Sequence, residues 1–151
     1  ALAELCGIHQ SGVHRRIKRL ERGGVIRGYV AVVEPDAVDR GYLSFILCNG
    51  GAGESDQLAG EGHFLATVRT HPFVQEIHTV SGRHQYLIKV RSPNGQALRD
   101  LQRLILRSPW IKEVELLIGL ETIVESGALD LESEATVRRL RSGNLSARKV
   151  G

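Results

Sequence analysis

The side chains best suited to metal binding or catalysis are the chain's six histidines and two cysteines. Their spacing contains no HExxH or CxxC pair, and no serine lies in a GxSxG turn. The glycine-rich residues 50–53 lack the lysine and the following serine or threonine of a phosphate-binding loop. The sequence therefore predicts no catalytic site, no metal site and no cofactor, and we expect that the protein is not an enzyme.

The remaining global features are those of a cytoplasmic globular protein. Cys6 and Cys48 are far apart in sequence, and isolated cysteines of this kind are usually small buried hydrophobes in a reducing compartment. No apolar run approaches the roughly 18 residues of a membrane span, and no signal peptide opens the chain. We expect a cytoplasmic location and no membrane partner.

Charge is distributed unevenly along the chain. Residues 1–27 carry six basic and two acidic side chains, whereas residues 28–127 carry nine basic and twelve acidic ones. A basic head on a mildly acidic body indicates a polyanionic partner at the first end only.

Two helices are predicted in the basic head. Residues 1–6 are typical of the end of a short helix, and Gly7 ends it because glycine adopts left-handed backbone angles freely. Ser11 is the predicted N-cap of the second helix, and residues 23–24, both glycine, end it.

The second helix has one apolar face, because Val13, Ile17 and Leu20 recur at positions i, i+4 and i+7. A helix, a glycine turn and a second helix with a cationic outer face form the helix-turn-helix pattern, although a solvated basic helix without a nucleic-acid partner looks the same. If the helix reads DNA, we expect base contacts from Gln10, Ser11, His14 and Arg15, and phosphate contacts from Lys18, Arg19 and Arg22.

Strand and helix patterns alternate through the body of the chain. Residues 29–33 are typical of an extended link. The elements predicted after it begin with a strand over 42–48 and a helix capped by Ser55 or Asp56. Strands over 74–80 and 86–90 then flank a turn at Ser81-Gly82-Arg83. A helix capped by Asn94 follows, and the last strand is predicted to be the longest, with Val114, Leu116, Ile118 and Leu120 alternating. The order βαββαβ predicts a ferredoxin-like sandwich, with two helices on one face of a four-stranded antiparallel sheet.

Periodicity also predicts which side chains of the two body helices point inward. They are Leu58, Leu65 and Val68 in the first helix and Ala97, Leu98, Leu101, Leu104 and Ile105 in the second, with Arg99, Asp100, Arg103 and Arg107 facing outward.

The basic head resembles the DNA-binding end of the Lrp/AsnC family, the leucine-responsive or feast/famine regulators. In that family a recognition helix runs into an R-x-x-R-L-E-x-x-G-x-I-x-G-Y segment. The matching residues here are Arg16, Arg19, Leu20, Glu21, Gly24, Ile26, Gly28 and Tyr29. The similarity continues through VSGRHQYLIKV to about Glu125, and family members carry a further helix ahead of the residues that match here.

The resemblance implies a transcription regulator that binds double-stranded DNA and responds to an amino acid or related metabolite. It also implies homodimers formed through the sandwich domains, which associate further, commonly into octamers. The fold class is then α+β, with a partial helix-turn-helix over residues 1–26, a linker strand over 27–36, an effector-binding and oligomerisation domain over 37–126 and a tail over 127–151 that could form a short helix. A ligand-binding or oligomerisation module without DNA binding is the alternative.

The family's effector turn, usually S-G-D-x-D-Y, is altered in this chain, where Arg83 and Gln85 occupy the two acidic positions. By matched position, the effector residues are Thr79, Gly82, Arg83 and Gln85 of the hairpin and Leu117, Ile118 and Gly119 of the last strand. Arginine favours a carboxylate over an ammonium group. We therefore hypothesise that the effector differs from the usual amino acids, or that this site binds none.

Overall fold

The computed structural model describes residues 2–51 and 57–127, which fall into two compact units. The first contains residues 2–32 and 125–127, and the second is Val33–Val124. The predicted helix cap at Ser55 or Asp56 and the predicted tail helix lie outside the described residues. Within the described ranges, no helix is long and apolar enough to span a membrane.

The first unit consists of α1 (Leu2–Cys6) and α2 (Gln10–Arg22). Gly7, with φ of 60°, makes the predicted left-handed stop between them, and Gly24, with φ of 69°, follows the end of α2. Both glycines adopt angles that a side chain would disfavour, so these helix ends are set by residue type.

The linker after α2 forms no strand, and the prediction of a linker strand over 27–36 is wrong for the single chain. Residues 27–34 have no strand assignment, and Asp36–Val38 form a short 3-10 helix. Val30 and Val32 are almost wholly exposed. β-branched residues favour extended backbone, but a strand also requires a hydrogen-bonding partner, and the described residues supply none here.

The second unit has the predicted βαββαβ order and ferredoxin-like arrangement. Its elements are β1 (Tyr42–Gly50), α3 (Gln57–Arg69), β2 (Val74–Thr79), β3 (Tyr86–Ser92), α4 (Gly95–Leu106) and β4 (Ile111–Ile118). The strands form one antiparallel sheet in the order β2-β3-β1-β4, in which Ile46 lies opposite Ile88 on one side and Leu116 on the other.

The core lies between α3 and α4 and the sheet face that carries Ile46, Ile88 and Val90. The predicted inward face of α4 is confirmed, because Leu98, Leu101 and Ile105 are buried, and its predicted outward residues are exposed. In α3, Val68 is buried and Leu65 is partly buried as predicted, while the side chain of Leu58 lies outside the described residues.

β4 is shorter than predicted, and the longest strand is β1, with nine residues against eight. Leu120 lies beyond β4 and is almost wholly exposed. The reason is the length of its partner: Ile118 pairs with Ser44, and the Gly119 N–H donates to Leu43 O at 3.0 Å. β1 begins at Tyr42, so the chain beyond Gly119 has almost no backbone left to pair with.

Candidate DNA-binding helix and effector turn

α2 begins two residues earlier than its sequence predicts, because its N-cap is His9 instead of Ser11. The His9 imidazole Nδ1 lies 3.4 Å from the Ser11 N–H, which donates to it, and 2.9 Å from Ser11 Oγ. Histidine is an uncommon N-cap, which is why the serine, a preferred capping type, was the expected choice. Ser11 therefore sits inside the first turn and still faces outward.

The two faces of α2 differ in polarity as predicted. Val13, Ile17 and Leu20 are partly buried, and the opposite surface is exposed. All seven side chains predicted to contact DNA are exposed: Gln10, Ser11, His14, Arg15, Lys18, Arg19 and Arg22. The helix can therefore present a cationic surface to a polyanion while its apolar stripe packs inward.

One acidic side chain of the head is engaged in a contact that the sequence did not reveal. The Tyr29 hydroxyl donates to Glu21 Oε1 at 2.7 Å, and this bond raises the pKa of Tyr29. Both residues belong to the family-type segment, eight positions apart, so the bond fastens the start of the linker to the end of α2.

The predicted effector turn is a six-residue loop, 80–85, between β2 and β3. Gly82 has φ of 126°, which a side chain would disfavour, and the Val80 N–H donates to Gln85 O at 3.0 Å. Thr79 is exposed at the end of β2, where it pairs with Tyr86. The structure thus gives Gly82 the conformational role that its position predicted.

Arg83 is held by an ion pair across the sheet. Its Nη2 lies 2.6 Å from Oε1 of Glu113 in β4. The hydrogen bond from this guanidinium, and secondarily the one from the Asn49 side-chain amide, lowers the pKa of Glu113. The contact with Glu113 also raises the pKa of Arg83. The cation that replaces the family's acidic residue is therefore balanced by a carboxylate from β4, which is separated from β3 by β1.

Gln85 and Asn49 fasten the other side of the turn. Gln85 Oε1 accepts from the Gly50 N–H at 2.8 Å, and the Gln85 N–H donates to Asn49 Oδ1 at 2.8 Å. Asn49 Nδ2 donates both to Arg83 O and to Glu113 Oε2, each at 3.0 Å. Sequence analysis did not select Asn49, because no local pattern shows that the end of β1 lies beside this turn.

His84, near the end of the same loop, is a polar residue whose side chain is buried. It is only 8% exposed, and its Nε2 lies 2.8 Å from Oε2 of Glu115. Its Nδ1 is buried and has no hydrogen-bond partner among the described residues. No local sequence pattern distinguishes this histidine from the other five.

The remaining predicted effector residues lie at the far end of β4. Leu117 and Ile118 are about half exposed, and Gly119 packs so closely on Leu43 that an added Cβ would lie 2.9 Å from its Cδ2. Glu113, which holds Arg83, and Leu117 are four positions apart on this strand, about 13 Å at the rise of an extended chain. A single chain therefore does not bring the two halves of the predicted effector site together.

The sheet face opposite the helices carries five apolar side chains, here called the open sheet face: Leu43, Phe45, Leu47, Leu87 and Leu117. They share one face because Phe45 pairs with Leu117, and Leu47 with Leu87. Each is partly or half exposed, and both helices of this unit cover the other face. Glu115, Glu76 and Lys89 lie in the same rows, so the patch has a charged border.

Metal ligands do not cluster in the described part of the chain, where no group of three or more histidine, cysteine, aspartate or glutamate side chains could hold an ion.

Comparison with known proteins identifies the family. Residues 57–129 match the Lrp/AsnC ligand binding domain, and residues 1–27 match a winged helix-turn-helix DNA-binding domain. The chain is 31% identical over 133 residues to the leucine-responsive regulatory protein of Salmonella typhimurium, covering 87% of this chain and 79% of that protein. The chain belongs to the Lrp/AsnC family. It is accordingly a transcription regulator with a DNA-binding head and a ligand-binding domain.

Solved structures of Lrp/AsnC proteins have the same architecture. An AsnC family transcriptional regulator from Agrobacterium tumefaciens is 27% identical with a TM-score of 0.77, covering 86% of this chain and 83% of that one. The feast or famine regulatory protein of Mycobacterium tuberculosis, complexed with L-methionine, is 27% identical with a TM-score of 0.69, covering 85% and 83%. The family assignment and the fold class read from the sequence are thus confirmed.

Proposed function

We propose that this Lrp/AsnC regulator binds DNA through α2 and senses an amino acid or related metabolite at a site that two chains complete. Residues 1–26 are its DNA-binding region and 37–126 its effector-binding and oligomerisation domain, joined by residues 27–36. Because the relatives are regulators and not enzymes, the proposal includes no catalytic role.

The exposed basic face of α2 is the observation that carries the DNA-binding proposal. Arg15, Lys18 and Arg22 are exposed on one helix whose other face is apolar and partly buried. The residues of the first turn, Gln10 and Ser11, are placed to reach base edges, since helix-turn-helix proteins read bases with the start of the second helix. The basic residues further along are placed to reach phosphates.

The test is DNA binding by the intact protein at several salt concentrations. We expect the affinity to fall steeply with salt, because lysine and arginine displace counterions from phosphates. Arg15→Ala and Lys18→Ala should each weaken binding, whereas Arg99→Ala, an exposed arginine on α4, should not. Binding that is absent or insensitive to salt would favour the alternative, a ligand-binding or oligomerisation module without DNA binding.

The effector proposal combines the turn of one chain with the β4 end of another. Within a chain, Glu113 beside the turn and Leu117 are about 13 Å apart along β4, so we do not expect one small ligand to contact both groups. An oligomer can juxtapose the Thr79, Gly82, Arg83 and Gln85 side with the Leu117, Ile118 and Gly119 side of its neighbour. The Mycobacterium tuberculosis relative in complex with L-methionine supports an amino acid or a close analogue as the ligand class.

Glu113 narrows the choice of effector. A ligand carboxylate would compete with Glu113 for Arg83, and a ligand ammonium group would have to compete with Arg83 for Glu113. Calorimetric titration with a panel of amino acids and keto acids tests this. We expect ordinary leucine or lysine to bind weakly or not at all, and tight leucine binding that Arg83→Ala abolishes would overturn the hypothesis.

The open sheet face supports the proposal that the protein is a homodimer or a higher oligomer such as an octamer. Single proteins rarely leave a contiguous apolar patch of this kind uncovered, and a charged border around an apolar centre is the usual composition of a protein interface. The open sheet face of a second copy of this chain could cover it, because that face has the same apolar centre and charged border.

A further inference from the structure

A groove on the helical layer of the second unit has no part in the functions described above. It runs between α3 and the end of α4, is partly open to solvent, and has a cavity volume of about 130 Å³. Because this is smaller than the roughly 300 Å³ at which drug-sized pockets begin, only a compact ligand would fit. The residues that line it are His63, Phe64, Thr67, Val68, Leu104, Ile105, Arg107, Ser108 and Pro109.

The floor of the groove is apolar and firmly packed. Phe64, Val68 and Ile105 are each only 1% exposed and belong to the core. Phe64 also stacks on Trp110, with ring centroids 5.3 Å apart. This floor can accept a compact hydrocarbon group without rearranging the core.

The mouth of the groove carries the Arg107 guanidinium and a hydroxyl that has no partner among the described residues. Arg107 and His63 are exposed, and neither side chain has a hydrogen bond or ion pair among the described residues. Ser108 Oγ is buried, again with no hydrogen-bond partner in the described part of the chain. A buried hydroxyl is costly to leave unbonded, so a ligand oxygen here would satisfy it.

Among the described residues, no acidic side chain lines the groove. The acid of α3, Glu61, accepts the hydrogen bond of Tyr86, and the acid of α4, Asp100, is paired with Arg103 at 2.8 Å. At the end of α4, where free carbonyl groups disfavour an anion, those of Arg103, Leu104 and Ile105 accept hydrogen bonds from the Arg107 and Ser108 N–H groups.

We propose that this groove is a second small-molecule site, which binds a monocarboxylic acid with a compact apolar body. The carboxylate bonds Arg107 and Ser108 Oγ, and the hydrocarbon lies on Phe64, Val68 and Leu104. Nothing in this proposal requires the effector turn, which is built from other residues of the same unit.

The test uses 4-methylpentanoate and its neutral isostere 4-methylpentanamide, added to the full chain. Trp110 is the chain's single tryptophan and contacts Phe64 of the floor, so its fluorescence reports occupancy. We expect saturable binding of the acid with a Kd below about 10 mM, and binding of the amide weaker by about tenfold or more because the charge-assisted bond is lost.

Variants identify the site. Arg107→Gln should weaken binding of the acid about tenfold, whereas Arg99→Gln, an exposed arginine on the same helix, should leave it unchanged. Thr67→Phe, which fills the mouth, should abolish binding while the Tm stays close to that of the parent protein. The absence of saturable binding, equal binding of acid and amide, or full binding by Arg107→Gln would each overturn the proposal. If Arg83→Gln lost binding of the acid while Arg107→Gln kept it, the acid would be bound at the effector turn, and this result would also overturn the proposal.

Discussion

Arg83 illustrates how a partner distant in sequence changes the chemistry of a single residue. Its type and position predict an unbalanced cation at the effector turn, but Glu113, thirty residues later, lies 2.6 Å away. That pairing depends on how β4 aligns with β1, and no local pattern encodes this register. Type and matched position therefore predict candidate site residues, whereas the contacts of Arg83 with Asn49 and Glu113 come only from the fold.

The Arg83–Glu113 pair predicts a small dependence of stability on pH. The pKa of Glu113 is lowered in the folded state, so its contribution is present above the ordinary glutamate pKa and is lost as the pH falls through the lowered value. Arg83→Gln should reduce the urea midpoint slightly at about pH 7 and less at about pH 3, which is below the ordinary glutamate pKa. Because the pair is exposed, added salt should shrink the difference at the higher pH.

An equal loss of stability in Arg83→Gln at both pH values would contradict this account, since it would point to lost packing instead of lost charge. Arg99→Gln is the matched control, because Arg99 is exposed and its Nη2 contacts only the neutral Gln96 Oε1 at 2.9 Å.

Substitution by alanine is expected to change stability differently at two glycines of α3, Gly60 and Gly62. A Cβ at Gly62 would meet nothing within 4 Å, so Gly62→Ala should stabilise the protein by about 0.5–1 kcal/mol through helix propensity. A Cβ at Gly60 would lie 3.1 Å from Trp110, so the same gain is offset by crowding of the core ring. Thermal unfolding should show a higher Tm for Gly62→Ala than for Gly60→Ala, and the reverse order would contradict the packing assigned to Trp110.

At the scale of elements, α4 is the part of the fold that sequence predicts best. Its inward residues recur with helical period, and Asn94 caps it by accepting from the Gln96 and Ala97 N–H groups, both at 3.0 Å. Here local propensity, periodicity and capping all favour one structure.

Removal of this cap should measurably destabilise the second unit. Asn94→Ala should lower the free energy of unfolding by about 1 kcal/mol, because two N–H groups of the first turn lose their acceptor. Asn94→Asp keeps the acceptor and should retain most of the stability. Urea denaturation followed by circular dichroism checks both, and equal losses in the two variants would show that the side-chain oxygen is not the stabilising group.

In β1, periodicity does not predict which face of the strand packs against the helices. Both of its faces contain apolar residues: Ile46 and Cys48 are buried under the helices, and Leu43, Phe45 and Leu47 lie on the open sheet face. A period of two assigns residues to faces but does not say which face meets the helices. The sequence prediction of inward residues missed Phe64 because Gly60 and Gly62, in the first half of α3, weaken its helical pattern.

At the scale of the whole molecule, a strand with two apolar faces makes sense if the second face is also covered. The open sheet face centres on Phe45, which pairs with Lys89 on one side and Leu117 on the other. A second chain would cover this face. The predicted effector site, which is split between the two ends of β4, also requires a second chain to be complete. Assembly and effector binding are therefore expected to depend on each other.

Phe45→Glu should consequently break the assembly without unfolding the chain. Burial of an unpaired carboxylate at the centre of an interface is strongly unfavourable, whereas on an uncovered sheet face it is readily solvated. Light scattering should report a monomer for this variant and an oligomer for the parent protein. Leu106→Glu is the matched control, since Leu106 is 53% exposed on α4, on the other side of the unit, and should keep the parent mass. If Phe45→Glu is folded by circular dichroism and retains the parent mass, the open sheet face is not the interface, and the two halves of the effector site must be joined by another contact.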